Sequence, residues 1–332
     1  MPDNLIERVH QPSFLTDLAL RYPTPEFLAD TLSPRKSVPK QSNKYRKFGK
    51  DTFYQVDSTW APGSIPNAVR TEISSDTYFA EERKLRHPLL DSETGNADAD
   101  LNLRTEYTET TTRAMRIARE ARVALQFVTA ANYPSGNVIT KAGGSSWDDT
   151  GVINTVQPIT DIEAEIAVIS QSAMTSRSGL TVVIPELVMN LAIRHNSAIR
   201  DYFKYTTGGV TTAEVLAALL GVREVLIARE QTAGAGPQGA GNDIITGITT
   251  TYLWGDNVWV GVRGSENSND YTFSRSFNWD AVTGGQELEV REYRMADEGQ
   301  EGNWIEAKEA VDEKIVANFA GGVIVNCLKT PN

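Results

Sequence analysis

The stretch LTVVIPELVMNLAIRHNSAIRDYFKYTTGGVTTAEVLAALLGVREVLIARE, Leu180 to Glu230, changes its apolar period several times. Leu180 to Ile184 is a short β-branched run of the kind found in strands buried on both faces. Pro185 suits the first turn of a helix over PELVMNLAI, and SAIRDYF continues as a second helical piece. Thr211 with Glu214 predicts a capping box for TAEVLAALL, and Gly221 predicts a left-handed residue after that helix, before the strand REVLIA. Upstream, Thr160 with Glu163 predicts another capping box, for a helix that carries Ile162, Ile166, Ile169 and Ala173 on one face and ends at Gly179. Together these elements predict a compact α/β unit over residues 158–230.

N-terminal to this unit, residues 98–131 turn helical. Ala114, Ile117, Ala118, Ala121, Leu125 and Val128 recur at three- and four-residue intervals, so they predict the inward stripe of a helix of about eight turns. Arg113, Arg116 and Glu120 then fall on other faces, and Glu109/Arg113 and Arg116/Glu120 have i,i+4 spacing. Before the helix, Phe53 to Val56 and Val69 to Phe79 flank the turn cluster APGSIPN (residues 61–67) and predict a long hairpin. Too few residues lie beneath it for a core, so it must rest on something else. Residues 1–50 hold repeated prolines (Pro23, Pro25, Pro34, Pro39) and short apolar pieces, which predicts an extended arm. Beyond Gly241 the chain is β-like: DIITGITTTYLW, NVWVGVR, YTFSRSFNW, ELEVREYRM, NWIEAKEAVDE and GGVIVNCL.

The chain has 332 residues, 40% hydrophobic and 23% charged, a globular balance. Its apolar runs are shorter than the roughly 20 residues of a membrane span, and MPDNLIERVHQPS lacks signal-peptide regions, so a cytosolically made protein without membrane contact is expected. One cysteine, Cys327 in apolar GGVIVNCLK, excludes an intramolecular disulfide and predicts a buried structural thiol. A formal net charge of −11 argues against a dedicated nucleic-acid binder. Yet Arg35, Lys36, Lys40, Lys44, Arg46, Lys47 and Lys50 form a run with no acid among them, either a solvated arm or one that docks on an acidic surface, nucleic acid or another copy of the chain.

Several motifs point to chemistry that their context denies. Gly234, Gly236 and Gly239 in GAGPQGAG have G-x-G-x-x-G spacing after a strand, but Pro237 interrupts them and β-branched NDIITGITTTYLW follows where a nucleotide site needs a helix. A flexible connection between strands is expected instead, with no cofactor. Asp98, Asp100, Asn102 and Glu109 imitate a calcium loop, but Leu103 stands where its sharp turn needs glycine. His10, His87 and His195 lie in unlike settings. Asp148 and Asp149 in SSWDDTG are adjacent acids without further ligands, so no metal and no catalytic constellation is expected.

The order of parts, with several local motifs, resembles the major capsid proteins of tailed bacteriophages, the Hong Kong 97-like fold, in its gpE-like branch. TFYQVDSTW through SSDTYFAEERKLRHPLLD is similar to the extended loop, TTTRAMRIAREARVALQF to the spine helix, GGSSWDDTGVINTVQPITDIEAE to the entry into the axial domain, and LWGDNVWVGV to the strand that re-enters the peripheral domain. The resemblance implies an α+β protein divided into an N-terminal arm (1–50), an extended loop (51–97), the spine helix with the start of the peripheral domain (98–150), an axial domain (151–255) and peripheral strands (256–332). Within the last, 263–302 is longer than the family pattern and predicts an inserted hairpin or an enlarged domain. The resemblance also implies self-assembly into an icosahedral head shell around packaged double-stranded DNA held weakly and without sequence specificity. Portal, scaffold or decoration proteins are further implied partners, and the location is the virion, assembled in the host cytoplasm. Interface residues expected on this basis are Trp60, Phe53, Tyr54, Tyr78, Phe79 and the seven basic residues, with Gly234, Gly236 and Gly239 in an axial-domain loop where copies converge. An encapsulin-like compartment and a hydrolase using Asp148 and Asp149 are the alternatives.

Overall fold

The computed structural model describes residues 27–48, 57–68, 72–97, 102–149, 151–204, 211–233, 250–264, 271–283, 288–295 and 301–329. In chain order its strands are β1 (Arg35–Val38), β2 (Ser42–Phe48), β3 (Ile73–Phe79), β4 (Glu81–Leu90), β5 (Val138–Thr140), β6 (Thr181–Pro185), β7 (Glu224–Ala228), β8 (Gln231–Ala233), β9 (Thr250–Tyr252), β10 (Val258–Gly261), β11 (Ser274–Trp279), β12 (Glu289–Arg294), β13 (Gly302–Ile315) and β14 (Gly321–Val325).

Two five-stranded sheets organise the chain. In the first, β13 is the central strand. One of its edges carries β4, Val311–Gly302 against Glu81–Leu90, and its other edge carries β12 and then β11, with β1 added in parallel on β11. The described part of 263–302 lies in this sheet, β11 buried and β12 an exposed edge strand. β11 and β12 both pair with β13, and SRSFNW in β11 is almost wholly buried.

The second sheet runs β5-β14-β10-β6-β7. It draws β6 and β7 from the α/β stretch and β10 and β14 from beyond it, so the boundary expected at residue 255 does not separate one sheet from another. Alternation divides its side chains between two layers. Val182, Ile184, Val225, Val258, Val260 and Ile324 pack with Ile162, Ile166 and Ile169 of the helix Gln157–Ser172 and with Leu216 and Leu220 of the helix Ala213–Leu220. Val183, Trp259 and Val323 take the opposite side, with Val123, Ala124 and Phe127 of the long helix Leu103–Val128. Phe127 is the centre of that layer, edge-on to Trp254, Trp259 and Phe273 at 5.7, 4.8 and 4.9 Å.

The long helix exists as predicted, but its buried face is another one. Thr111, Met115, Arg119, Glu120, Val123, Ala124 and Phe127 are buried, whereas Ala114 and Ala118 are exposed and Leu125 is 66% exposed. Apolar spacing failed because the inward face carries ions with partners brought from afar. Caps also shifted by a few residues. Thr160 lies inside a helix that starts at Gln157, and the cap before Ala213 is Thr212, which accepts from the Val215 amide, rather than Thr211. Gly221 closes that helix at φ +65°, as its left-handed role requires.

Residues 27–38 are not a free arm. Leu28, Ala29 and Leu32 enter the core of the long helix, and β1 extends the β13 sheet. They form a strap, with a short helix, Ala29–Leu32, laid across the long one.

The tightest glycine approach is Gly322, where an added Cβ meets a Glu165 oxygen at 1.8 Å and the Asn137 carbonyl at 2.9 Å. The expected outcome for Gly322→Ala is destabilisation by about 1–3 kcal/mol, because the backbone cannot retreat in a packed sheet. Urea unfolding of the two proteins measures it, and equal midpoints would show that the site relaxes freely.

Candidate assembly interface

The hairpin pairs β2 with β3, Ser42 opposite Phe79 through Phe48 opposite Ile73. The described part of its first strand is SNKYRKF, inside the basic run, and the expected Phe53 to Val56 lies outside the described residues. Alternation gives the hairpin two unlike faces. Inward, Tyr45 and Tyr78 pack on Phe277 at ring separations of 5.2 and 4.7 Å, with Val38 beside them. Outward stand Lys44, Arg46, Ser75, Thr77, Phe79 and Ile73, and both Phe79 and Ile73 are 55% exposed.

Asp76 fastens this inward face to the body. It accepts from Tyr45 Oη at 3.0 Å, Lys47 Nζ at 2.9 Å and Lys314 Nζ of β13 at 3.0 Å. The hydrogen bond from Lys47, together with those from Lys314, the Thr77 amide and Tyr45, holds the Asp76 carboxyl well below the usual carboxylate range. Burial, followed by the Asp76 carboxylate, pushes the Tyr45 phenol up. Lys314 also donates to the Thr77 carbonyl, and the Phe79 amide donates to Asp312 at 2.9 Å. The hairpin, without a core of its own, is pinned at its base by a charge cluster and three aromatic rings.

The far end is a preformed turn. Trp60 Nε1 donates to the Ser64 carbonyl at 2.8 Å, the Ser64 amide to the Ala61 carbonyl at 3.0 Å, and Asn67 Nδ2 to the Asp57 carbonyl at 2.9 Å. Gly63 at φ +95° makes the reversal possible. The turn presents Trp60, 54% exposed, and Ile65, 93% exposed.

The expected interface residues therefore separate. Trp60, Phe79, Lys40, Lys44 and Arg46 are exposed, and Lys36 is half-buried. Arg35 and Lys47 are spent within the chain, on Asp30 at 3.0 Å and Asp76 at 2.9 Å, and Tyr78 is buried against Phe277. Phe53, Tyr54, Lys50, Gly234, Gly236 and Gly239 lie outside the described residues. Ile65, Ile73, Tyr45, Asp76 and Lys314 were missed, although the period-2 pattern of SNKYRKF against ISSDTYF marks Ile73, Tyr45 and Asp76.

The residues weighed for chemistry have structural partners. Asp148 accepts from the Lys329 amide at 2.7 Å and Asp149 pairs with Lys329 Nζ at 3.0 Å, which pins the described C-terminal end. Trp147, just before them, is fully buried, and its Nε1 donates to Asp161 at 2.7 Å. Cys327 is buried, and burial pushes its thiol well up, away from the nucleophilic form. Asn102 caps the long helix by accepting from the Thr105 amide, so the described part of the calcium-like segment, Asn102 to Glu109, is a helix start; Asp98 and Asp100 lie outside the described residues.

No protein-family model matches the sequence. Two curated proteins are similar to it, both called major capsid protein. One, from Pseudomonas phage JBD67, is 31% identical over 148 residues, 44% of this chain and 48% of that one. The other, from Burkholderia phage BcepMu, is 25% identical over 217 residues, 64% of this chain and 67% of that one. The match thus spans about half of the first relative and two thirds of the second. Among solved structures, a phage-related protein from Bordetella bronchiseptica superposes with a TM-score of 0.66 at 18% identity, over 95% of this chain and 97% of that one. The capsid of cyanophage P-SCSP1u gives 0.59 at 12% identity, over 95% and 98%. The fold is that of the tailed-phage capsid proteins, Hong Kong 97-like, and the chain is related in sequence to two phage major capsid proteins.

Asp76→Asn is expected to loosen the hairpin while leaving the core intact. Hydrogen exchange at Ser42–Phe48 should quicken at least several-fold, with β6 amides unchanged. Because the Asp76 carboxyl is held low, its contribution is present above pH ~4 and is lost as pH falls toward the lowered value. Unchanged exchange in the variant would mean that the aromatic rings alone hold the hairpin.

Proposed function

We infer that this chain is the major capsid protein of a tailed phage, a structural protein and not an enzyme, whose copies build the icosahedral head shell around double-stranded DNA. The observation that carries the reading is the hairpin: pinned at its base, apolar and basic on its outer face, and with an internally hydrogen-bonded turn that exposes Trp60 and Ile65. An isolated two-stranded ribbon is marginal in water. Laid across a neighbouring copy it gains burial at ~25 cal/mol per Å² of apolar surface, with Trp60 as anchor. Lys40, Lys44 and Arg46 then meet an acidic partner, since each copy carries a net charge of −11.

In this reading the hairpin is the extended loop, and the long helix with the β13 sheet forms the peripheral domain. The second sheet with its two helices forms the axial domain, in which the loop holding Gly234, Gly236 and Gly239 reaches the capsomer centre. Portal, scaffold and decoration proteins are the other partners, and assembly takes place in the host bacterial cytoplasm. Net acidity keeps packaged DNA from adhering tightly to the wall.

Purified protein is expected to form closed particles of uniform size in negative-stain electron microscopy. Trp60→Ala with Ile65→Ser should cut particle yield at least tenfold while the melting temperature of the unassembled chain stays put, because both side chains are already exposed. Uniform shells from the double variant would remove the tip from the interface, and a wild-type chain that stays monomeric under all assembly conditions would overturn the reading itself.

A further inference from the structure

The strap crosses the protein over a pair of buried carboxyl groups. Glu120, on the long helix, accepts from the Ala29 amide at 2.7 Å and from Trp254 Nε1 at 2.9 Å. Glu230, just after β7, is 1% exposed, and neither of its carboxyl oxygens has a hydrogen-bond partner. A buried, unsolvated carboxylate is among the most costly groups a protein can hold, so a proton is the economical alternative to water.

Among the described residues, the groups packed near Glu230 supply it no cation. From the long helix come Glu120, whose charge opposes its ionisation, and Arg119, which is committed to the strap through Asp30 and the Ser33 carbonyl and approaches Glu313 at 3.9 Å. From the strap come the Leu28 and Ala29 amides, with Asp30 turned toward Arg35 and Arg119. On Glu230's own segment, Arg229 points away, half-exposed, to Glu186 at 3.8 Å. Burial, and then Glu120, pushes the Glu230 carboxyl up to about 8, although the amides of Glu230, Arg229 and Leu28 oppose the shift. Burial likewise raises Glu120.

We propose that the strap, residues 27–38, is a proton-operated latch: it stays docked while Glu230 holds a proton, and it lifts when Glu230 ionises and draws water beneath Leu28 and Ala29. The docked form binds one proton more than the lifted form, so docking weakens as pH rises from the ordinary carboxyl value to the raised one, then levels off. The strap leads through β1 into the hairpin, so the latch ties the placement of an assembly element to pH without touching either sheet core.

Hydrogen exchange of the full-length chain in solution, from pH 5 to 9, with each rate divided by its intrinsic rate, tests this. The reporters are the Ala29, Leu32 and Ser33 amides, which donate to Glu120, the Leu28 carbonyl and the Ala29 carbonyl. Their protection is expected to fall about tenfold per pH unit between pH 5 and 8 and to level above, while β6 amides hold constant. Glu230→Gln should flatten the strap profile, and Glu165→Gln, which neutralises another buried carboxyl without a hydrogen-bond partner, should leave it steep. A flat wild-type profile, strap and β6 amides falling together, or a Glu230→Gln profile as steep as the wild type would each overturn the latch. The wild-type profile decides even if a variant fails to fold, and none of these outcomes depends on shell formation.

Discussion

Arg119, Glu120 and Arg122 sit on the inward face of the long helix, and the chain around them is arranged to neutralise that charge. They draw their partners from the strap, β11, β13 and the segment of Trp254. Arg119 takes Asp30 and the Ser33 carbonyl from the strap and the Ser276 hydroxyl, at 3.2 Å, from β11. Arg122 takes Glu309 at 2.5 Å and Glu313 at 2.7 Å from β13, and Glu120 takes an amide of the strap and the Trp254 indole. A charge buried alone costs several kcal/mol, so misplacing any of these regions strands an ion. The ions contribute specificity: they fix which element lies where, while the aromatic layer around Phe127 supplies the burial.

With its charged face satisfied inward, the helix leaves Ala114, Ala118 and Leu125 on its outer side, and the hairpin leaves Ile73, Phe79, Trp60 and Ile65. For a lone soluble monomer this is a surplus of exposed apolar surface, concentrated on one projecting element. It is what a subunit needs whose stability is completed by its neighbours. The inward face of the same hairpin is fully engaged, through Asp76, Tyr45 and Tyr78. One element is thus rigid toward its own chain and open toward another.

Much of the architecture was legible locally. LTVVI became β6 with every position buried, REVLIA became β7, GGVIV became β14, and Gly221 took the left-handed conformation. Each depends on neighbours within a few residues, so composition and period suffice. The hairpin was legible only in part. ISSDTYF was recognised, and the expected Phe53 to Val56 lies outside the described residues. The partner SNKYRKF was not recognised, because a basic run conceals the strand. Its lysines and arginine alternate with Tyr45, and a charge on every second residue is compatible with a strand that has one solvated face.

By itself the sequence determined the kinds and limits of the elements, because backbone propensity, period and turn chemistry act over a few residues. It also argued against a nucleotide cradle at Gly234, because Pro237 and the β-branched run NDIITGITTTYLW stand where such a site needs a helix; Gly234 itself lies outside the described residues. Only the tertiary structure decided which face of the long helix is buried, that residues 27–38 are a strap rather than an arm, and that β6 and β7 share a sheet with β10 and β14. The physical reason is distance along the chain. A face bearing Arg119 and Glu120 can be buried only if Asp30, Trp254 and Glu313 arrive from about 90 to 190 residues away, and no local pattern records that meeting.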